Sequence, residues 1–204
     1  MWICLIGPPT CKQNIAKDLS ERSGYRHSTV TQPRFAGNHP EMVQYNFLDQ
    51  YFRQNLEMQD RMSKEDLVTI SSFWCQHEVY AKALHMNKII TDDDFELSEK
   101  FYKRLSRHLE PPSCFIYLTG THIEIRSRLG LKNEDEGSEE WVEAVRTSYD
   151  EFVKKIRVPV IEIDGGKPYS SIWGEVDFDI AQMKTTRLSD QTLWTRTIFH
   201  SGRV

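Results

Sequence analysis

"WICLIGPPTCKQN", residues 2–14, joins a wholly apolar run to a glycine turn, a lysine and the start of a polar segment. An apolar run of this length that breaks at once into such a turn reads as a buried parallel strand feeding a helix. Within it, "LIGPPTCKQN" (5–14) approaches the phosphate-loop pattern Gly, four residues, Gly, Lys, then Ser or Thr. In that pattern backbone N–H groups wrap phosphate while the Lys and the hydroxyl hold phosphate and Mg²⁺. Gly7 and Lys12 are in place, but the second Gly is missing, the loop is one residue short and Gln13 stands at the hydroxyl position. Pro8 and Pro9 bring no N–H donors. Two readings stay open, an altered phosphate loop or a plain strand-to-helix turn.

Working outward, four more short runs have strand character: "HSTVT" (27–31), "LVTIS" (67–71), "CFIYLT" (114–119) and "PVIEID" (159–164). Helical stretches separate them, which predicts an α/β fold, a doubly wound five-stranded parallel sheet flanked by helices. The first crossover, from Asn14 to about Ser23, stops at Gly24. Residues 40–62 carry Met42, Tyr45, Leu48, Phe52 and Leu56 at spacings of three and four, one predicted buried face. Residues 92–108 repeat the pattern through Phe95, Phe101, Tyr102 and Leu105, and 138–155 through Trp141, Val145, Tyr149, Phe152 and Val153. Asp92, Asp93 and Asp94, just before a helix, read as an N-terminal cap rather than a metal site. Beyond about Ile180 no clear period remains, yet Leu193, Trp194, Ile198 and Phe199 are too apolar for a free tail. The expectation is therefore one α/β domain over 1–180 and an extension, 181–204, docked on the body or on another subunit.

Composition bounds the function classes. The 204 residues, 39% hydrophobic and 27% charged, suit one globular unit. A formal net charge of −4 argues against general nucleic-acid binding, so any anion must be held by a local group of Lys and Arg. Cys4, Cys11, Cys75 and Cys114 form no close pairs of the kind zinc or redox motifs need, and are expected as reduced thiols in a cytoplasmic protein. His27, His77, His85 and His122 share no ligand spacing, and no metal site is expected from protein side chains. "WICLI" is too short for a signal core or a membrane span.

The stretch "FWCQHEVYAKALHMNKIITDDDFELSEKFYKRLSRHLEPPSCFIYLTGTHIEIRSRL", with "VPVIEIDG" after it, carries a resemblance to a known family. In order and spacing it is similar to the substrate helix, acidic-start helix, fourth strand and lid of the deoxynucleoside kinases and their thymidylate-kinase-like relatives. The resemblance covers most of residues 1–165. It implies a P-loop kinase fold, ATP with Mg²⁺ as cofactors, and a nucleoside or nucleotide as acceptor of the γ-phosphoryl group. It also implies that Gly7, Thr10, Cys11, Lys12 and Gln13 hold the phosphates of the nucleotide. The family's catalytic Glu at the end of the second strand is replaced by Gln32, and an amide can orient a hydroxyl but cannot take its proton at neutral pH. The acid-Arg pair at the end of the third strand is replaced by Ile70, Ser71 and Ser72, where the serines either bond phosphate or merely end a strand. In the lid, Arg126 and Arg128, with Lys132 beyond, either reach phosphate oxygens on closure or form a solvated helix face. For the base and sugar the candidates are Tyr45, Gln50, Gln54, Trp74 and Tyr80, each of which could equally be core.

Two functions follow. The first is ATP-dependent phosphoryl transfer to a deoxynucleoside or, since a phosphate oxygen needs no base to attack, its monophosphate, with Lys12, Arg126, Arg128 and Gln32 as catalytic residues. The second is a catalytically impaired relative acting as a nucleotide-binding or structural subunit. A homodimer or a larger assembly is the expected quaternary state.

Overall fold

The sheet is built around the strand that opens the sequence. In the structure, a computed structural model, residues 1–7, 12–29, 40–120 and 139–189 are described. β1 (Trp2–Ile6) is buried at every position. Because strand side chains alternate in direction, Ile3 and Leu5 enter one core layer while Cys4 and Ile6 enter the other. β1 lies between β3 (Leu67–Ile70) and β4 (Cys114–Thr119), with β2 (Arg26–Ser28) and β5 (Val160–Asp164) at the edges. The order is β2-β3-β1-β4-β5, and every pair is parallel. That is the doubly wound sheet expected. The ends of the predicted second strand at 30 and 31 fall outside the described residues.

One layer consists of α1 (Lys12–Ser23) and α6 (Tyr169–Ser189), whose Ile15, Ala16, Leu19, Ile172, Val176, Ile180 and Met183 pack on Ile3, Leu5 and Val68. Gly24, with φ +71°, ends α1 in the left-handed conformation that glycine adopts without strain. α6 begins before position 180 and continues beyond it, carried by the stripe 172, 176, 180 and 183. Lys184 on it reaches Asp66, 2.7 Å away. No period is visible after 180 because the stripe has only one more apolar member before polar sequence follows. Residues 190–204, with Leu193, Trp194, Ile198 and Phe199, lie outside the described residues.

The other layer holds a helical run over 73–86, here α3, and α5 (Glu139–Lys155). α3 is α-helical over Phe73–Cys75 and Lys82–Met86, and π-helical between them, over Gln76–Ala81. α2 (Pro40–Arg61) and α4 (Asp92–Leu105) complete it. Thr91 caps α4 in a capping box with Asp94, so the acidic run does the helix-capping work expected of it. Among the described residues no group of three His, Cys, Asp or Glu side chains could hold a metal.

The face of α2 corrects the sequence reading. Of the five positions expected to be buried, Leu48 is, while Met42 and Leu56 are exposed and Tyr45 and Phe52 only half-buried. The inward-facing line is 44, 48, 51, 55 and 58, in which Gln44 and Asn55 are buried among Leu48, Tyr51 and Met58. A count of apolar residues misses it because two of its members are amides. On α4 the same correction applies to Phe101, which is exposed.

Candidate functional site

The chain leaves β1 at Gly7 with φ +119°, pressed so closely on the neighbouring strand that a Cβ there would lie 2.3 Å from the Leu118 carbonyl oxygen. No other residue fits this exit. Residues 8–11, including Thr10 and Cys11 of the expected phosphate loop, lie outside the described residues. The chain resumes as α1, with Lys12 its first residue, 8% exposed. The Lys12 ammonium donates to the Gly7 carbonyl. A cation at the start of a helix whose free N–H groups favour anions is a suitable floor for phosphate.

At the end of β3, Ser71 has φ +65° although it is not glycine. Its N–H donates to the Leu5 carbonyl (2.9 Å) and its hydroxyl accepts from the side-chain amide of Gln76 (3.3 Å). Left-handed backbone at a serine is a strained choice that a surrounding structure must hold in place. Five residues later the π-helical segment starts, with Gln76 as its first residue. Extra residues in a helical turn of this kind occur frequently at functional sites. Gln44 on α2 reaches across to donate to the Gln76 backbone carbonyl.

These pieces enclose a cleft of about 600 Å³ at the C-terminal ends of β1 and β3. Its walls are Val43, Phe47, Tyr51, Ile70, Tyr80, Leu84 and Trp141, and its polar groups are Lys12, Gln13, Thr29, Gln44, Ser71 and Gln76. Pro40 closes the rim. Among the described residues lining it, Lys12 alone is charged. Tyr80 is fixed by its hydroxyl, 3.0 Å from that of Tyr149, and burial pushes its phenol up to about 12, so it stays neutral. Burial raises the Tyr51 phenol likewise. A large, mostly apolar and aromatic cleft with a few convergent amides and one cation is the general form of a small-molecule site.

Of the substrate candidates from sequence, Ser71 and Tyr80 line this cleft, as do Gly7's partner Lys12 and Gln13 of the phosphate loop. Tyr45 does not, because its hydroxyl donates to the Asp94 carbonyl and its ring leans on Phe101. Trp74 packs edge-on against Phe73 and lines a separate cavity. Ser72 is fully buried beside the Cys75 thiol, and Gln50 is partly exposed outside the lining. Gln54 is buried against β2, donating to the Ser28 hydroxyl at 3.2 Å, while its carbonyl oxygen has no hydrogen-bond partner among the described residues. Gln32, Arg126, Arg128 and Lys132 lie outside the described residues. The sequence reading missed Gln44, Gln76, Phe47, Tyr51 and Trp141. The signal for the first two was present, since each amide interrupts an otherwise apolar helical stripe.

Mg²⁺ does not fit the described residues, since the described lining of the cleft presents no carboxylate and no group of three His, Cys, Asp or Glu elsewhere among them could hold a metal. Cys4, Cys75 and Cys114 are buried, and burial raises the first two thiols, Cys75 to about 11.

Comparison with known proteins agrees with this architecture. The family described as deoxynucleoside kinase matches residues 39–192, about three quarters of the chain. No curated protein matches. Solved structures of deoxyadenosine kinase from M. mycoides share the fold. The form with bound dATP has a TM-score of 0.69 at 16% identity, covering 90% of this chain and 100% of its own. The form with the products dCMP and a flexible dCDP has the same score and identity, covering 91% and 100%. With bound dCTP the score is 0.67, again at 16% identity and with the same coverage.

Proposed function

Because the chain belongs to the deoxynucleoside kinase family, we propose that it transfers the γ-phosphoryl group of ATP to a deoxynucleoside or deoxynucleoside monophosphate seated in the cleft. The observation that carries this is the position of Lys12, one cation on the floor of an aromatic cleft with two buried amides on its wall. The ammonium, held at the Gly7 carbonyl, turns to neutralise phosphate oxygens, which are stronger acceptors than a neutral carbonyl. Gln44 and Gln76 present amides, donor and acceptor together, to the edge of a base held among Phe47, Tyr51, Tyr80 and Trp141. Arg126 and Arg128 are the further cations assigned to the transferred group, where most of the catalytic benefit is charge stabilisation.

The described lining holds no carboxylate, and Gln32 cannot serve as a base. This favours the monophosphate acceptor, whose attacking oxygen is already anionic. The same observation also favours a second reading, a nucleotide-binding protein without turnover.

One experiment separates them. The protein is incubated with ATP, Mg²⁺ and a panel of deoxynucleosides and their monophosphates, and products are resolved by chromatography. Product above that of Lys12→Ala, with monophosphates turned over faster, is the expected result. No product above the control, with heat of nucleotide binding retained in calorimetry, would establish the second reading. Neither product nor heat would overturn both.

A further inference from the structure

A second cavity lies at the opposite edge of the sheet. Its volume is about 310 Å³, the low end of the range for small-ligand sites. Leu109 and Pro111, which precede β4, and Ile156 and Val158, which precede β5, form its base. Three aromatic side chains from three different helices converge on it: Trp74 from α3, Tyr102 from α4 and Phe152 from α5. Glu78 stands on one wall, Lys155 and Arg157 on another.

The charges decide the ligand class. Arg157 is exposed and makes no ion pair among the described residues, and Lys155 reaches only Glu151, at 3.9 Å. The cationic side thus offers a guanidinium fork to an anion, the geometry that suits carboxylate and phosphate. Glu78 forms no ion pair among the described residues, and its carboxylate lies beside the Tyr102 hydroxyl. It can accept a hydrogen bond from a ring N–H. Between the two, the aromatic walls suit a flat ring.

The cavity is joined to the cleft by one short piece of chain. Trp74 and Glu78 face the cavity, whereas Gln76 and Tyr80, alternating with them, face the cleft. Residues 76 to 80 belong to the π-helical segment, whose hydrogen bonding is the least regular in the helix. His77, between them, stacks on Tyr102 at 4.6 Å, which ties this segment to α4. We propose that this cavity binds a small planar aromatic anion with a ring N–H, and that its occupation shifts Gln76 and Tyr80 and so alters affinity in the cleft. Coupling of this kind is reciprocal, each ligand changing the other's affinity by the same factor.

The test uses the full ¹⁵N-labelled chain titrated with indole-3-acetate, with neutral indole as the control. Saturable shifts of the Trp74 side-chain N–H and of the Glu78 amide are expected, with the Gln76 and Tyr80 amides moving along the same curve. Arg157→Glu, an exposed substitution that leaves the core intact, should weaken indole-3-acetate about tenfold and leave indole unchanged. Absence of a saturable shift would overturn the site. So would equal binding of indole-3-acetate to the Arg157→Glu variant. Saturation at Trp74 with Gln76 and Tyr80 unmoved would overturn the coupling. None of these readouts requires a nucleoside, so the result stands apart from the kinase reading.

Discussion

Replacing glycines by alanine one at a time should rank the strain at the strand exits. At Gly7 two penalties add. Its φ of +119° is a conformation L side chains rarely adopt, worth roughly 1–2 kcal/mol. The new Cβ would also sit 2.3 Å from the Leu118 carbonyl oxygen, and that obstacle is backbone in a buried strand with no rotamer to yield. Forced overpacking of this kind costs roughly 1–3 kcal/mol, so Gly7→Ala should lose about 2–5 kcal/mol, a large share of a typical domain's 5–15. Gly165→Ala meets the Thr119 carbonyl oxygen at the same 2.3 Å without the φ penalty, so about 1–3 kcal/mol is expected. Gly24→Ala has φ +71° but nothing within 4 Å, leaving the conformational part alone, about 1–2 kcal/mol. Gly174, inside α6 with nothing within 4 Å, should gain about 1 kcal/mol as alanine. Urea unfolding followed by far-UV circular dichroism measures all four, with equal slopes confirming that midpoints report stability. If Gly7→Ala proved no more harmful than Gly24→Ala, the close approach of β1 and β4 at the mouth of the cleft would be wrong.

Three other outcomes follow from named contacts. Burial pushes His77 down to about 4, below its unfolded value of 6.5, so the unfolded chain binds the extra proton in between. Stability from this group is complete above pH 6.5 and falls by about 3 kcal/mol as the pH drops to 4. The double variant His77→Phe with Ser98→Ala, which removes both ends of the 3.1 Å bond, should abolish that slope in urea midpoints taken from pH 7 to 4. Gln44→Leu removes the side-chain hydrogen bond to the Gln76 carbonyl in the π-helical segment and should cost about 0.5–1.5 kcal/mol by the same assay. Lys184→Met breaks a half-exposed bridge to Asp66 and a cation contact 4.6 Å from the Tyr25 ring, and should change stability by less than about 1 kcal/mol.

The scaffold was legible in the sequence because burial on both faces forces a parallel strand to be apolar almost throughout. "WICLI" and "CFIYLT" match β1 and β4 within a residue for that reason. The cleft was legible only in part. Lys12 announces itself by its place after a strand and a glycine, whereas Gln44 and Gln76 sit where an apolar stripe predicts Leu or Val. Reading only apolar spacing turned the predicted face of α2 toward Met42 and Leu56, both exposed. Tyr45 and Trp74 were drawn into the site because aromatics at helical spacing look alike whether they line a pocket or fill a core. The partner of the Tyr45 hydroxyl, the Asp94 carbonyl, is a long-range contact that no local pattern reports.

The departures from local rules are themselves informative about where chemistry belongs. Among the described residues, left-handed backbone occurs at Gly7, Gly24, Ser71 and Lys88. Gly24 follows α1 and Lys88 follows α3, where a left-handed residue is an ordinary helix stop. The remaining two, Gly7 and Ser71, flank the cleft, one after β1 and the other after β3. The π-helical turn at Gln76 and the buried amide of Gln44 adjoin the same space. Real proteins break such rules chiefly at functional sites. A scaffold retained only for assembly would have no use for a strained serine, an irregular helical turn and buried amides gathered around one lysine. Their shared location therefore argues that the cleft is kept for a ligand, whichever acceptor the phosphoryl assay identifies.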